Sequence, residues 1–560
     1  MTSQKHRWLS AGIGVALVWA VVPVALGVVW AFLHVVLGGF GGLQQGFSLL
    51  TNEMGYSGGS IFWGWMTVMF LASAGIVGFV VDSGTAQRGV TIALVVAGVA
   101  AGANTVHLGW QNSKNVARFY DRAAVVYTPS MSNAPGSLQY LLAGAHKGAN
   151  GCWVAKSDVA SCIKIGTLAQ AGFYPRVSSA TGALTVMQRT SGSRQNVNLL
   201  PSSLTYLNGN GKDGTWSAIR DGFGAFQPTE GVVEWAGTNL PTECKFGGHD
   251  QFNKALNGVK SNSLVNYLTR LHQNFYWSNS DVWGYCNAAH QPVIVIPLEQ
   301  QVHYLSQTVS EPAGVYVLTG SRSGLPHVDY RAHATNLPGP VYPKSIADTQ
   351  LTSVNWMAGR AHLDRSQFGF EPTNSGAQAG NTQDYLLKSE TDGHTYWVTP
   401  LTLASSQSQL FVAYAMVRAD SVTSGQLNTF KVYTLAANDP RSTNVDQLEA
   451  MAKSFMVSNA GGFIPSGGQL IEFTPAQGDF WRAFGEINGR VIYRLDISAN
   501  ANETPILVSL DSNNNPTTVA GGGGVSAGHG AGLAYCGRNP QSLTNTQRLA
   551  CLRLFAQAVN

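Results

Sequence analysis

The feature that most constrains this chain is a long uncharged run near its N-terminus. Residues 9–37 contain no Asp, Glu, Lys or Arg, and about 20 such residues suffice for a helix to cross the hydrocarbon core of a bilayer. The run also exceeds the roughly 7–15 apolar residues of a cleaved signal peptide. We therefore predict a retained transmembrane helix, kinked near its middle by Pro23.

Two further apolar segments follow. Residues 61–81 form the second segment of the chain, and residues 90–108 form the third, whose Gly and Ala content suits close contact between helices. A buried helix of a soluble domain is the alternative for the third segment. The sequence thus predicts a membrane anchor over residues 1–110 with three transmembrane helices, and the lipid bilayer as a partner.

The charges beside these segments bear on orientation. Lys5 and Arg7 precede the first segment and Arg88 follows the second, which by the positive-inside rule places everything after residue 110 outside the cytoplasm. Three basic residues after the third segment favour the opposite orientation: Lys114, Arg118 and Arg122. The cysteines and the low charged content, 11% against about 25% in soluble domains, favour the first orientation. We expect a plasma or inner membrane protein with a large extracytoplasmic domain.

Six cysteines lie outside the apolar segments, and their number is even. Zinc sites need closely spaced pairs of the Cys-x-x-Cys kind, which this chain lacks, so disulfides in an oxidising compartment are the preferred interpretation and free thiols the alternative. Nearness along the chain favours three bridges: Cys152–Cys162, Cys244–Cys286 and Cys536–Cys551.

The rest of the chain has the pattern of a β-rich exported region. Residues 111–337 read as a Gly- and Asn-rich, β-rich domain that holds four of the cysteines, with buried strands at 293–296 and 314–318. The Pro- and Gly-rich stretch 337–343 predicts a domain boundary, because it breaks regular structure.

Residues 344–511 read as an α+β domain, in which one helix packs on an antiparallel sheet. The helix begins at a capping box, Thr443 to Asp446, and Asn488-Gly489 predicts a two-residue hairpin turn. The predicted strands span 394–401, 410–417, 430–435, 469–474, 480–487, 490–497 and 506–510. Residues 512–560 read as a Gly-rich linker and a C-terminal helix that the last disulfide staples. The fold class is therefore a membrane-anchored α+β protein.

Sequence motifs for catalysis or cofactor binding are weak. Gly524–Gly528 matches the nucleophile elbow, but no acid follows Ser526, which favours a flexible linker. Gly209–Gly214 matches GxGxxG without a βαβ context, which favours a polar turn, and no cofactor is predicted.

A metal site is one hypothesis for the segment between residues 327 and 333. On a strand, His327, Asp329 and His333 would share one face, and two His with one carboxylate form a real ligand set. Ordinary surface residues are the alternative.

The preferred function is a non-enzymatic scaffold or binding protein of a cell-envelope or surface assembly, such as a secretion or conjugation apparatus or a viral membrane. Other membrane or envelope proteins are expected partners. Nucleic acid is not, because the chain has no basic run. An envelope hydrolase using acids such as Asp392, Glu472 and Glu486, or a receptor for a small ligand or glycan, are the alternatives.

Three segments carry a resemblance to other proteins: residues 281–286 (DVWGYC), 338–343 (PGPVYP) and 488–496 (NGRVIYRLD). In these segments the chain resembles uncharacterised multi-pass membrane proteins of high-GC Gram-positive bacteria. Those proteins combine a few N-terminal helices with an exported domain rich in Gly, Ala and Val. The resemblance implies a cell-envelope setting and neither an activity nor any functional residue.

Overall fold

The structure is a computed structural model of the full chain. It describes residues 9–17, 19, 59–80, 85–130, 145–148, 151–154, 162–167, 173–174, 176, 179–190, 197–222, 226–237, 240–305, 307–354, 370–372, 385–403, 410–436, 439, 443, 445–475, 480–487, 490–498, 505–510 and 516–520. Within these ranges the chain is a mixed α+β protein, rich in strands and built largely from antiparallel sheets.

The helices fall into an N-terminal pair and four that belong to the strand-rich region. They are α1 (Ser60–Val80), α2 (Thr85–Asp121), α3 (Ala180–Thr190), α4 (Leu264–Leu271), α5 (Lys344–Ser353) and α6 (Val445–Asn459). Residues 9–17 and 19 are also helical. The α6 helix begins at Val445, two residues after Thr443 and close to the predicted start.

The strands are given in chain order. The first group is β1 (Ala124–Thr128), β2 (His146–Lys147), β3 (Trp153–Val154), β4 (Cys162–Ile165), β5 (Phe173–Tyr174), β6 (Val197–Leu199), β7 (Thr205–Leu207), β8 (Thr215–Gly222), β9 (Gly231–Trp235), β10 (Thr242–Lys245), β11 (Phe275–Tyr276), β12 (Trp283–Cys286), β13 (Pro292–Tyr304), β14 (Gln307–Thr319), β15 (His327–Arg331) and β16 (His333–Ala334). The second group is β17 (Phe370–Pro372), β18 (Tyr385–Ser389), β19 (Thr395–Leu403), β20 (Ala413–Arg418), β21 (Val422–Thr423), β22 (Phe430–Thr434), β23 (Gln469–Pro475), β24 (Phe480–Ile487), β25 (Arg490–Ser498), β26 (Ile506–Leu510) and β27 (Pro516–Ala520).

Two of the three predicted membrane segments form helices that are long and apolar enough to cross a bilayer, Ser60–Phe79 and Arg88–Asp121. Most of the first predicted segment, 9–37, lies outside the described residues, so its crossing stays a prediction. The third segment differs from its prediction in length: α2 continues from residue 108 to Asp121 without a break.

Glycines bring α1 and α2 together as an antiparallel pair. A Cβ on Gly98 would lie 2.9 Å from the Leu71 side chain, and Gly102 and Gly64 face the methyl groups of Thr67 and Thr105. The small residues predicted to suit helix contact therefore serve a contact within the chain. The outward faces carry large exposed apolar side chains: Val68, Phe79, Ile92, Val96, Val99 and Val106.

A ten-stranded central sheet has the order β2-β3-β4-β1-β22-β20-β19-β18-β5, with β17 against β19. The strand β1 lies between β4 and β22 and is parallel to both, while the other pairs are antiparallel. Strands from both sides of the boundary predicted at 337–343 thus share one sheet. That stretch is no linker: Val341 and Tyr342 are fully buried, and their amides bond to the carbonyl of Ala419.

Four smaller sheets complete the strand-rich region among the described residues. The β6–β10 sheet and the β11–β15 sheet pack together around one apolar cluster, and β16 pairs with β21 across the predicted boundary. The β23–β27 sheet is a continuous antiparallel meander containing the predicted hairpin β24–β25, whose turn residues 488–489 lie outside the described residues.

Two expectations for the C-terminal half need correction. The strands predicted between 344 and 511 belong to two sheets: β19, β20 and β22 lie in the ten-stranded sheet, and β23–β26 lie in the meander. The first of these sheets also contains β1, which comes from far upstream and pairs with β22. The predicted linker from residue 512 contains the strand β27, which extends the second sheet.

Candidate functional site

Two buried acids meet at the start of α5. Asp281 ends a 3₁₀ turn (Asn279–Asp281), and Glu299 lies in β13, directly after a bulge that shifts the register between Leu298 and Glu299. The hydroxyl of Ser345, in the first turn of α5, lies 3.0 Å from Asp281 Oδ2 and also contacts Glu299 Oε1. Asp281 is 7% exposed and Glu299 is 5% exposed. We call these three residues the carboxyl cluster.

The carboxyl cluster holds a proton near neutral pH. Burial raises the pKa of Glu299 to about 7, and the charge of Asp281 adds to this while the Ser345 hydroxyl opposes it. Burial likewise raises the pKa of Asp281 to about 6, again against hydrogen bonds from Ser345. One serine hydrogen cannot serve two carboxylates at once, so a protonated acid can donate to Ser345 Oγ while the serine donates to the other acid.

Asp281 also lies at the N-terminus of α5. The N-cap residue Pro343 supplies no side-chain hydrogen bond, and the backbone amide of Ser345 helps its hydroxyl to lower the pKa of Asp281 against the effect of burial. The Ser345 hydroxyl thereby joins the 3₁₀ turn to the helix. The Oδ1 atom of Asp281 is buried without a hydrogen-bond partner.

A small pocket adjoins Asp281 but not Glu299. Its volume is about 40 Å³, room for about three water molecules. The walls are mostly aromatic and hydroxylic side chains: Ser202, Ser203, Thr205, Ser280, Trp283, Tyr342, Lys344 and Trp397. A glycosidase needs two acids about 5–10 Å apart facing one substrate. Here Ser345 fills the space between the acids, and only one of them faces the pocket.

Polar contacts connect the carboxyl cluster to the end of α2. The hydroxyl of Tyr120 donates to the Ser310 carbonyl at 2.8 Å, and the Ser310 hydroxyl contacts that of Tyr276. Tyr276 of β11 lies directly opposite Glu299 of β13 in the antiparallel pair of these strands. On the other side, the Ser353 hydroxyl of α5 donates to Asp121 Oδ1 at 3.1 Å. The last turn of α2 is therefore held by both β14 and α5.

The structure does not assemble the predicted metal ligands. His327 and Asp329 lie on β15, where Asp329 pairs with Arg331 at 2.8 Å, and His333 lies on β16 with its Nδ1 atom 2.9 Å from the Thr423 hydroxyl. Among the residues that the structure describes, no group of three or more His, Cys, Asp or Glu side chains is placed to hold a metal ion.

Two of the three predicted disulfides are formed. Cys152–Cys162 ties β4 to the residue before β3, and Cys244–Cys286 joins the β6–β10 sheet to the β11–β15 sheet. The third predicted bridge, Cys536–Cys551, lies outside the described residues, as does the Gly524–Gly528 motif. Gly209–Gly214 forms the polar turn between β7 and β8, where Lys212 pairs with Glu234 at 2.6 Å.

The acids suggested for hydrolysis do not form one site. Glu472 is fully buried and pairs with Arg176 at 2.9 Å, while also accepting a hydrogen bond from the amide of Ala180. Burial raises the pKa of Glu472 against the opposing effect of Arg176, and the charge of Glu486 adds a smaller increase. Asp392 instead accepts a hydrogen bond from the Tyr396 hydroxyl at 2.6 Å.

Sequence reasoning missed the carboxyl cluster, whose members come from three separate elements. One signal was present: Glu299 directly follows the apolar run from Pro292 to Leu298, and a charge at the end of such a run needs a buried partner or a proton. Neither a protein-family model nor a curated protein matches the chain.

Proposed function

We propose that this protein is a non-enzymatic, membrane-anchored scaffold or binding protein of a cell-envelope assembly, with its strand-rich domain outside the cytoplasm. The observation that carries the proposal is the continuity of α2. Its 37 residues extend about 55 Å at about 1.5 Å per residue. The hydrocarbon core accounts for about 30 Å of that length, so the remainder reaches into the folded domain.

The far end of α2 is a structural part of that domain. Ala117, Phe119, Tyr120 and Asp121 are each at most 2% exposed, and Phe119 and Tyr120 belong to the apolar cluster that also contains residues of β1, β14 and α5. A rigid connection of this kind suits a scaffold, because it fixes the orientation of the domain relative to the bilayer. The two disulfides support an oxidising compartment.

The geometry of the carboxyl cluster favours a scaffold over a hydrolase. Its acids are joined through the Ser345 hydroxyl of α5, and Glu299 lies opposite Tyr276 of β11, so the acids connect elements of the fold. The adjoining pocket of about 40 Å³ is far below the roughly 300 Å³ or more of ordinary ligand sites.

Thiol labelling of intact cells tests the location. Cys152 and Cys162 are partly exposed, so a membrane-impermeant reductant followed by an impermeant maleimide should label them, with the sites identified by mass spectrometry. Without the reductant no label is expected. If the label appears only after cell lysis, and appears then without any reductant, the thiols are reduced and cytosolic, and the proposal is overturned. A cytosolic protein with an accessible thiol reports leakage.

A further inference from the structure

We infer that the tip of the β13–β14 hairpin docks onto the headgroup layer of the bilayer, with Leu305 entering the layer and nearby arginines pairing with lipid phosphates. The inference rests on the proposed membrane anchoring and deepens it. We call the tip residues His303, Tyr304 and Leu305 the hairpin tip.

The first argument is the position of the hairpin tip beside the anchor helix. The Tyr304 ring lies 5.2 Å from that of Phe119 on α2, and Phe119 is nine residues beyond Trp110, or about 13 Å along the helix. The next residue of α2, Tyr120, donates a hydrogen bond to the carbonyl of Ser310 on β14. The hairpin tip therefore lies beside the last turn of the anchor helix, about 13 Å along the helix from Trp110.

The second argument is the residue at the turn. Leu305 has a φ of +52° and is 52% exposed. The left-handed region favours Gly or Asn, and a leucine there costs on the order of 1 kcal/mol. In a water-facing turn neither the conformation nor the exposure suits leucine. An apolar side chain at this position is better explained by contact with an apolar surface, and the neighbouring bilayer offers one.

The third argument is the charge and aromatic character around the tip. Trp110 is 64% exposed at the end of the apolar stretch of α2, a place typical of the interfacial aromatic belt. Arg122 is exposed, with its guanidinium 4.0 Å from the centre of the Phe119 ring, and Arg118 lies one turn earlier. Arginine pairs well with phosphate, so anionic headgroups are the occupant that this surface fits best.

Depth-dependent quenching tests the inference on the full chain in nanodiscs. An environment-sensitive dye is attached at Leu305→Cys, and doxyl-labelled lipids serve as the quencher. The matched control is Leu325→Cys, a leucine of similar exposure (44%) beyond the opposite end of β14. We expect about twofold or stronger quenching at position 305 and none at 325, because a dye meets the doxyl label only when it lies in or at the bilayer. Equal behaviour of the two positions would overturn the inference.

A third label separates this inference from the proposed function. Phe79 of α1 is 93% exposed, so a dye at Phe79→Cys should be quenched if α1 crosses the bilayer. Quenching at 79 but not at 305 removes only the docking of the tip. Absence of quenching at 79 removes the membrane anchoring itself.

The apolar and charged contributions are tested with a reporter at His303→Cys. Adding Leu305→Asn, which accepts the positive φ, should abolish quenching of that reporter while the fold is kept. Arg118→Gln with Arg122→Gln should weaken quenching more in phosphatidylglycerol nanodiscs than in phosphatidylcholine nanodiscs, because the choline ammonium group balances the phosphate of the second lipid. Quenching that is unchanged by the leucine substitution contradicts the apolar contact, and quenching in phosphatidylglycerol that is unchanged by the two arginine substitutions contradicts the phosphate pairing.

Discussion

Glu472 and Glu299 are both buried glutamates, yet their carboxyl groups have different partners. Glu472, 0% exposed, faces the guanidinium of Arg176 and the amide of Ala180. Glu299, 5% exposed, faces the hydroxyl of Ser345 and a second acid, Asp281. A buried charge must be neutralised by a counterion or by a proton. This chain uses a counterion, Arg176, at Glu472 and a proton at Glu299.

The Glu472–Arg176 pair and the carboxyl cluster connect different parts of the molecule. Arg176 lies between the rings of Trp216 and Tyr385, at 5.3 and 5.1 Å from their centres, so the Glu472 pair joins three sheets. Glu472 itself has a φ of +52°, at the point where the β23–β24 register shifts. The carboxyl cluster instead joins α5 to β13, next to the end of α2. We expect the first site to respond strongly to mutation and the second to respond to pH.

The largest expected effect comes from removing the counterion. Burial raises the pKa of Glu472 and Arg176 opposes this, so in Arg176→Met the acid must either stay charged without a partner or take up a proton. At neutral pH this should lower the free energy of unfolding by about 3–5 kcal/mol. Denaturant titration of the purified chain in detergent measures it. Adding Glu472→Gln should restore a large part of the loss, because the uncompensated charge is then gone.

An exposed ion pair provides the control for this prediction. Lys388 pairs with Asp213, and the two side chains are 26% and 57% exposed. Lys388→Met should change the free energy of unfolding by less than about 1 kcal/mol, since solvent screens such pairs. If both substitutions cost the same, the buried pair contributes no more than a surface pair and the comparison fails.

The second effect is a pH dependence specific to the carboxyl cluster. The pKa of Glu299 is raised in the folded state, to about 7, from about 4.3 in an unfolded chain. The stabilisation from its proton is therefore complete below about pH 4 and is lost as the pH rises through 7. Glu299→Gln keeps a neutral side chain and should remove this part of the pH dependence, on the order of 3 kcal/mol between pH 4 and 8.

Denaturant titrations at pH 4, 6 and 8 compare the wild type with Glu299→Gln. The wild type should lose stability over this range more steeply than the variant, whose remaining slope includes Asp281, with a pKa of about 6. Parallel curves for the two proteins would mean that Glu299 is not protonated in the folded state. Glu371→Gln, an acid with intermediate exposure on β17, controls for the loss of a carboxylate elsewhere.

The two buried glutamates also show what sequence reasoning reaches. Local patterns succeeded: the hairpin β24–β25, the start of α6 and the disulfides Cys152–Cys162 and Cys244–Cys286 all follow from nearby residues. Contacts between distant segments were not predictable. Arg176 and Glu472 are 296 residues apart in the chain, and no periodicity marks either as the partner of the other.

The same limit explains the missed sheet topology. The strand β1 is a five-residue apolar run after α2, and it pairs in parallel with β22 about 300 residues later. A parallel pair has no hairpin turn to mark it in the sequence. The Pro-rich stretch 337–343 predicted a boundary because proline ends helices and strands, yet the backbone amides of Val341 and Tyr342 are bonded in the core. Local composition does not distinguish a Pro-rich segment that is buried in the core from an exposed linker.

The smallest expected effect distinguishes a shared proton from two independent acids. The Ser345 hydroxyl lowers the pKa of both Asp281 and Glu299, so Ser345→Ala should raise both and move the stability loss to higher pH. Loss of one buried hydroxyl also costs about 1–2 kcal/mol at low pH. Thr349→Ala, which removes a hydroxyl bonded to the backbone one turn later in α5, is the matched control and should leave the pH midpoint unchanged. A midpoint that stays in place in Ser345→Ala would mean that the serine does not couple the acids, and that Glu299 and Asp281 take up protons separately.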